Sequence, residues 1–184
     1  MHMAPLSFLL LLIWICTSAI LTVSAEFVNI TIDDYYRDAL FEYFIYSPSG
    51  AWTAAMRPGE VTYNTWHQTN VTKDPTVTPS EVKATVTFTG SSVYVFGVLA
   101  STSSTQLRFR LNGTALSDNF TFSAQPGPTT YSYNQLLYAN ESLPEATHRL
   151  DILNGDVEGG AGSLLVVDYL VYTRNTDIDP LPSP

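Results

Sequence analysis

Val82-Lys-Ala-Thr-Val-Thr-Phe-Thr89, then Gly90-Ser-Ser92, then Val93-Tyr-Val-Phe-Gly-Val-Leu99 is the passage on which the fold turns. Its first part alternates. Val82, Ala84, Val86 and Phe88 share one face, and Lys83, Thr85, Thr87 and Thr89 take the other, which is a strand with one wet side. Gly-Ser-Ser turns the chain. The run after it is apolar almost throughout and reads as a central strand covered on both sides. Working outward, Leu107, Phe109 and Leu111 alternate with Arg108 and Arg110, a solvated strand face rather than a nucleic-acid patch. Asn112-Gly113 then turns the chain into a return strand over Ala115 to Phe122. Tyr131 to Tyr138, Thr147 to Leu153 and Ser163 to Thr173 read as further strands, with Asn154-Gly155 and a glycine-rich loop between the last two. Upstream, Phe27 to Ile32, Glu42 to Tyr46 and Val61 to His67 read as strands, and Asp33 to Leu40 as room for one helical turn. Eight or nine strands, with turns every 8 to 12 residues and no βαβ unit, predict an all-β antiparallel jelly-roll sandwich over residues 26–175.

The ends read differently. Ser7 to Val23 is a 17-residue, mostly apolar run without charge, closed by Val23-Ser-Ala25 before Glu26. That is the pattern of a signal peptide over residues 1–25, with an uncleaved membrane anchor as the competing reading. Cleavage after Ala25 leaves 159 residues and removes Cys16, the only cysteine. A Cys nucleophile, a Cys-ligated zinc and a disulfide scaffold are thereby excluded from the domain. Five Asn-x-Ser/Thr acceptors, at Asn29, Asn70, Asn112, Asn119 and Asn140, fit a secreted glycoprotein. Residues 176–184, with three prolines among the last five, read as a tail. The chain carries 17 Asp and Glu against 8 Lys and Arg, a charge of −9 that argues against nucleic acid.

Candidate chemistry concentrates in the irregular segments. Tyr35, Tyr36, Trp52, Tyr63, Trp66 and His67 are the aromatic residues a sugar-binding surface would use; core packing is the competing reading for the two tryptophans. Asp33 and Asp34 are adjacent, so along a strand they would point to opposite faces. Asp156 and Glu158, with loop carbonyls, offer the one sequence-level option for a structural Ca2+; otherwise no cofactor is expected. Asp168 shares a face with Val166 and Leu170 in an apolar strand, so it must be hydrogen-bonded, or ligate a metal or a sugar. His148 is expected to face water or a neighbour, and two isolated histidines make no metal-ligand spacing. No nucleophile elbow, zinc-protease motif or phosphate loop occurs.

Read together, Ile30-Thr-Ile-Asp-Asp34, Pro48-Ser-Gly-Ala-Trp52, Tyr63-Asn-Thr-Trp-His67, Phe88 to Gly97, Leu143 to Leu150 and Leu165 to Tyr172 carry a resemblance. The chain resembles the secreted or membrane-tethered surface proteins of mushroom-forming fungi over residues 28–173. The resemblance implies a galactose-binding-like β-sandwich, as in many carbohydrate-binding modules, outside the cell or at its surface. It implies no catalytic residue. Members of that family commonly continue into a Ser/Gly-rich stalk and a membrane helix, so this chain is expected to be a soluble short form or a truncated one. Many also carry cysteines after the position of Trp52, where Thr53 to Arg57 has none. Three readings follow: a non-catalytic glycan-binding module taking a glycan or cell-wall polysaccharide; a structural or adhesive protein that recognises another protein; and, last, a polysaccharide hydrolase, which needs two carboxylates about 5–10 Å apart in a cleft.

Overall fold

A computed structural model describes residues 25–57, 59–72, 81–155 and 162–177. The proposed signal segment, the end of the tail and the Asp156/Glu158 calcium option lie outside these residues. Eleven strands form two antiparallel sheets: β1 (Phe27–Asp33), β2 (Phe44–Ser47), β3 (Thr53–Met56), β4 (Thr65–Val71), β5 (Lys83–Gly90), β6 (Ser92–Ala100), β7 (Thr105–Leu111), β8 (Thr114–Phe122), β9 (Tyr131–Asn140), β10 (Ala146–Asn154) and β11 (Ser163–Asn175). One sheet runs β3-β4-β11-β6-β9, with β1 also on β11; the other runs β2-β5-β10-β7-β8. The architecture is the jelly-roll sandwich expected, with eleven strands among the described residues where eight or nine were expected. The strand that none of the segments named above covers is β3, whose Thr-Ala-Ala-Met has too few β-branched or aromatic residues to announce a strand. The segment from Asp33 to Leu40 holds bends and a turn rather than a helical turn, because the Asp33 and Asp38 side chains take up local backbone N–H groups that a helix would use.

The core lies between the inner faces. Ala84, Val86 and Phe88 of β5 meet Val93 and Val95 of β6, Leu150 and Ile152 of β10, and Leu165, Val167 and Leu170 of β11. A second, smaller cluster of Trp66, Val98 and Val166 lies apart from it. Thus β6 is covered on both sides, as its unbroken apolar run predicts. Of the two options for His148, water or a neighbour, the structure takes the second. His148 is buried, its Nε2 donating to the Pro144 carbonyl at 2.9 Å while its Nδ1 accepts from the Asn112 amide at 3.1 Å. A carbonyl can only accept and an NH2 can only donate, so these partners set the tautomer.

One feature of the topology creates the site. β11 is thirteen residues long and is shared along one edge by two strands: Ser163–Val167 pairs with β4, and Tyr169–Asn175 with β1. Asp168 falls between them. On the other edge, the pairing of β11 with β6 also slips between Val167 and Tyr169. The end of β1 and the start of β4 therefore meet at Asp168.

Candidate functional site: a buried carboxylate cluster beneath exposed tyrosines

Asp33 closes β1, Asp34 follows it, and Asp168 faces both from the slip in β11. Oxygen atoms of the three carboxylates lie within 4.8 Å of one another, and none of the side chains is more than 2% exposed. Adjacent residues of one strand would diverge, but β1 ends at Asp33, so Asp34 turns back to the same place as its neighbour. Thr65, at the start of β4, bridges them, its hydroxyl 2.8 Å from Asp34 Oδ1 and 3.3 Å from Asp33 Oδ1. The His67 ring Nδ1 lies 2.6 Å from Asp34 Oδ2.

Two of the carboxylates, Asp33 and Asp168, also hold loops. Asp33 Oδ1 accepts from the backbone N–H groups of Tyr35 and Tyr36, at 3.0 and 2.9 Å. Asp168 Oδ1 accepts from the N–H of Thr62 at 3.0 Å, and the Asp34 N–H donates to the Asp168 carbonyl at 2.9 Å. These bonds fix the tyrosines that stand outside. Tyr35, Tyr36 and Tyr63 are 59%, 50% and 65% exposed. Their rings form a chain: Tyr63 edge-on to Tyr36 at 6.1 Å, Tyr36 to Tyr35 at 5.1 Å, Tyr35 stacked on His67 at 6.0 Å, and His67 stacked on Tyr46 at 4.1 Å. Tyr46 in turn packs on the half-buried Trp52 at 4.6 Å. Tyr63 sits at φ 46°, a left-handed conformation that costs a residue with a Cβ of order 1 kcal/mol or more and that recurs at functional sites. Asn64 secures this turn. Its side-chain oxygen accepts from the Gly59 N–H at 2.7 Å and its carbonyl from the Arg57 N–H at 2.7 Å.

Beside this platform runs a groove of about 630 Å³, lined by the edge of β1 from Asn29 to Thr31, by Asp33, Tyr36 and Tyr63, and by Arg37 to Ala39. Its size is that of an ordinary small-ligand site.

The electrostatics of the cluster are unusual. Burial pushes the Asp168 carboxyl up to about 7, with the charges of Asp34 and Asp33 adding to the shift. Burial likewise raises Asp33 and Asp34, although hydrogen bonds from Tyr36, Tyr35, Thr65 and His67 pull the other way. One oxygen of Asp33 and one of Asp168, both Oδ2, are buried with no hydrogen-bond partner. Unpartnered buried carboxylate oxygens demand either protons or a cation. An all-oxygen donor set suits a hard divalent ion such as Ca2+. Two ligand oxygens on one Ca2+, each at about 2.4 Å, are at most about 4.8 Å apart, and the three carboxylates meet that spacing requirement. The signal in the sequence was Asp168, a charge in an apolar strand; that Asp33 and Asp34 meet it is a product of the topology.

Trp66 requires a correction. It is not an exposed sugar platform but is 1% exposed, capped by the Arg57 guanidinium 4.8 Å from its ring and by Tyr131 at 5.7 Å. Neighbouring residues of a strand face opposite ways, so Trp66 and His67 cannot serve one site, and His67 has it. Trp66→Phe is expected to cost about 1–2 kcal/mol in urea unfolding while leaving ligand binding at the tyrosines unaltered. Of the five glycosylation acceptors, Asn29, Asn70, Asn112 and Asn119 are exposed and Asn140 is half-buried. The Asn112 amide is already engaged, by His148 and by the Arg149 N–H.

No family model and no curated protein matches the chain. Among solved structures it is similar to a family 35 carbohydrate binding module from Clostridium thermocellum, at 13% identity and TM-score 0.42 over 81% of this chain and 98% of that one. It is similar also to a Podospora anserina GH26-CBM35 β-(1,4)-mannanase, at 14% identity and TM-score 0.42 over 85% of this chain. A third is a Paenibacillus sp. cycloisomaltooligosaccharide glucanotransferase complexed with cycloisomaltoheptaose, at 16% identity and TM-score 0.44 over 69% of this chain. The matched region spans 28% of the mannanase and 17% of the glucanotransferase. The sandwich itself stands on the strand pairing above. Among the described residues, no helix is long and apolar enough to cross a membrane.

Proposed function

We propose that this domain is an extracellular carbohydrate-binding module that takes a glycan segment in the groove beside Tyr36 and Tyr63 and does not cleave it. One observation carries the reading: buried carboxylates tie down the backbone of both loops that present exposed tyrosines, so the aromatic surface is held in place before any ligand arrives. Pre-ordered aromatic rings beside a few polar groups suit the apolar C–H faces and hydroxyl edges of sugar rings, and little ordering entropy remains to oppose binding. Arg37, Asp38 and Asn29 supply the polar side of the groove. Binding without hydrolysis is favoured because the carboxylates lie under the surface at no more than 2% exposure, where a glycosidic oxygen cannot come between them. In this reading a divalent cation in the cluster braces the loops and takes no part in chemistry.

Glycan-array binding of the full chain, secreted from a eukaryotic host, tests it. Tyr36→Ala combined with Tyr63→Ala is expected to weaken binding by about 10- to 100-fold, at roughly 1–3 kcal/mol for the two rings, with the melting curve nearly unchanged. Absence of binding by the folded parent at high concentration, with its N-linked glycans enzymatically removed, would sink the reading and favour recognition of another protein.

A further inference from the structure

Asn29 and Thr31, the acceptor and the hydroxyl residue of one glycosylation motif, both line the groove that holds Tyr36 and Tyr63. Both are exposed on β1. The Thr173 hydroxyl donates to Asn29 Oδ1 at 2.8 Å. That bond holds the amide by its oxygen, and the nitrogen is the atom that carries a glycan. None of the other four acceptors lines this groove: Asn70 lies on β4, Asn112 at the β7–β8 turn, Asn119 on β8 and Asn140 at the end of β9.

We propose that an N-linked glycan on Asn29 lies along this groove, covers Tyr36 and Tyr63, and so sets whether the site can take an external glycan. The inference rests on the binding reading above and adds its regulation. In the modification, a bond forms between Asn29 Nδ2 and the anomeric carbon of the first sugar. The bond from that carbon to the diphosphate of a lipid-linked oligosaccharide donor breaks, and the amide gives up a proton. A tethered sugar meets the groove at an effective concentration in the millimolar range, as a short flexible linker gives. An external glycan of equal affinity then displaces the tethered one only at concentrations above that range.

The test uses the full chain secreted from eukaryotic cells with the other four motifs removed by Thr72→Ala, Thr114→Ala, Thr121→Ala and Ser142→Ala, all at exposed positions. Asn29-occupied and unoccupied fractions are separated and verified by intact mass. Each is then probed by hydroxyl-radical footprinting and on a glycan array. In the occupied fraction, Tyr36 and Tyr63 are expected to oxidise several-fold more slowly, with Tyr43 unaltered, and array binding to fall by about tenfold or more. Equal tyrosine reactivity in the two fractions, or a secreted chain with Asn29 wholly unmodified, overturns the inference and leaves the proposed function standing. Protected tyrosines with neither fraction binding any glycan keep the covering glycan and overturn the function instead.

Discussion

Chelator-treated protein taken from pH 5 to pH 8 is expected to lose about 6–12 °C in melting temperature, and millimolar Ca2+ at pH 8 to restore it. The Asp168 carboxyl titrates near 7 in the fold and near 3.9 in an unfolded chain. The native state therefore holds its proton more tightly, and stability falls as pH rises from about 4 to about 7. Two pH units inside that window, at about 1.4 kcal/mol each, come to about 3 kcal/mol. For a domain of this size, each kcal/mol moves the melting temperature by about 2–4 °C. Burial shifts Asp33 and Asp34 in the same direction. Divalent binding requires ionised carboxylates, so its stabilisation grows over the same interval and opposes the fall. At one hundred times its dissociation constant a ligand adds about 3 kcal/mol, enough to cancel it. Equal melting curves with chelator and with Ca2+ at pH 8 would show that the cluster does not bind the ion.

The second large effect is expected at Gly97. A Cβ built there would lie 2.2 Å from the Val166 carbonyl oxygen and 2.6 Å from Leu137 Cδ1. Leu137 could move, but the carbonyl belongs to the backbone of β11 next to the slip that isolates Asp168. Relief would require β6 and β11 to separate at the centre of their sheet. Gly97→Ala is therefore expected to cost more than about 3 kcal/mol, at the upper end for overpacking, and to weaken Ca2+ binding as well. Gly50→Ala is the matched control: a Cβ there has no neighbour within 4 Å, and its stability should change by less than about 0.5 kcal/mol. A Gly97→Ala protein as stable as its parent in urea would show that the two strands are not in fixed contact at this point.

The parts of the fold that were legible are those where local pattern and tertiary environment agree. Ala84, Val86 and Phe88 alternate in the sequence and are buried together, and Asn112-Gly113 turns where its type demands a left-handed pair, at φ 52° and 83°. The site was legible only in parts. Tyr35, Tyr36, Tyr63 and His67 stood out as aromatic and imidazole groups in irregular segments, and the structure brings them into one chain of rings. Trp66 was misplaced because a large aromatic beside a loop reads alike whether it packs outward or under an arginine; the alternation of Trp66 with His67 was the clue that separates them. The carboxylate cluster was out of reach for another reason. Asp33 and Asp168 are 135 positions apart, and what joins them is a change of strand partner, which leaves no periodic mark on either segment.

That change of partner has a mechanical side. The chain enters the sandwich at Phe27 and leaves it at Asn175, and these two residues face each other as the first rung of the β1–β11 pair. A load applied between the two ends would not shear the sheet. It would unzip β1 one rung at a time, from Phe27↔Asn175 inward, and the last rung before the strand came free would be Asp33↔Tyr169, at the carboxylate cluster. Whatever neutralises those carboxylates thus sits where tension on the chain would be resisted last, as the latch of a zipper.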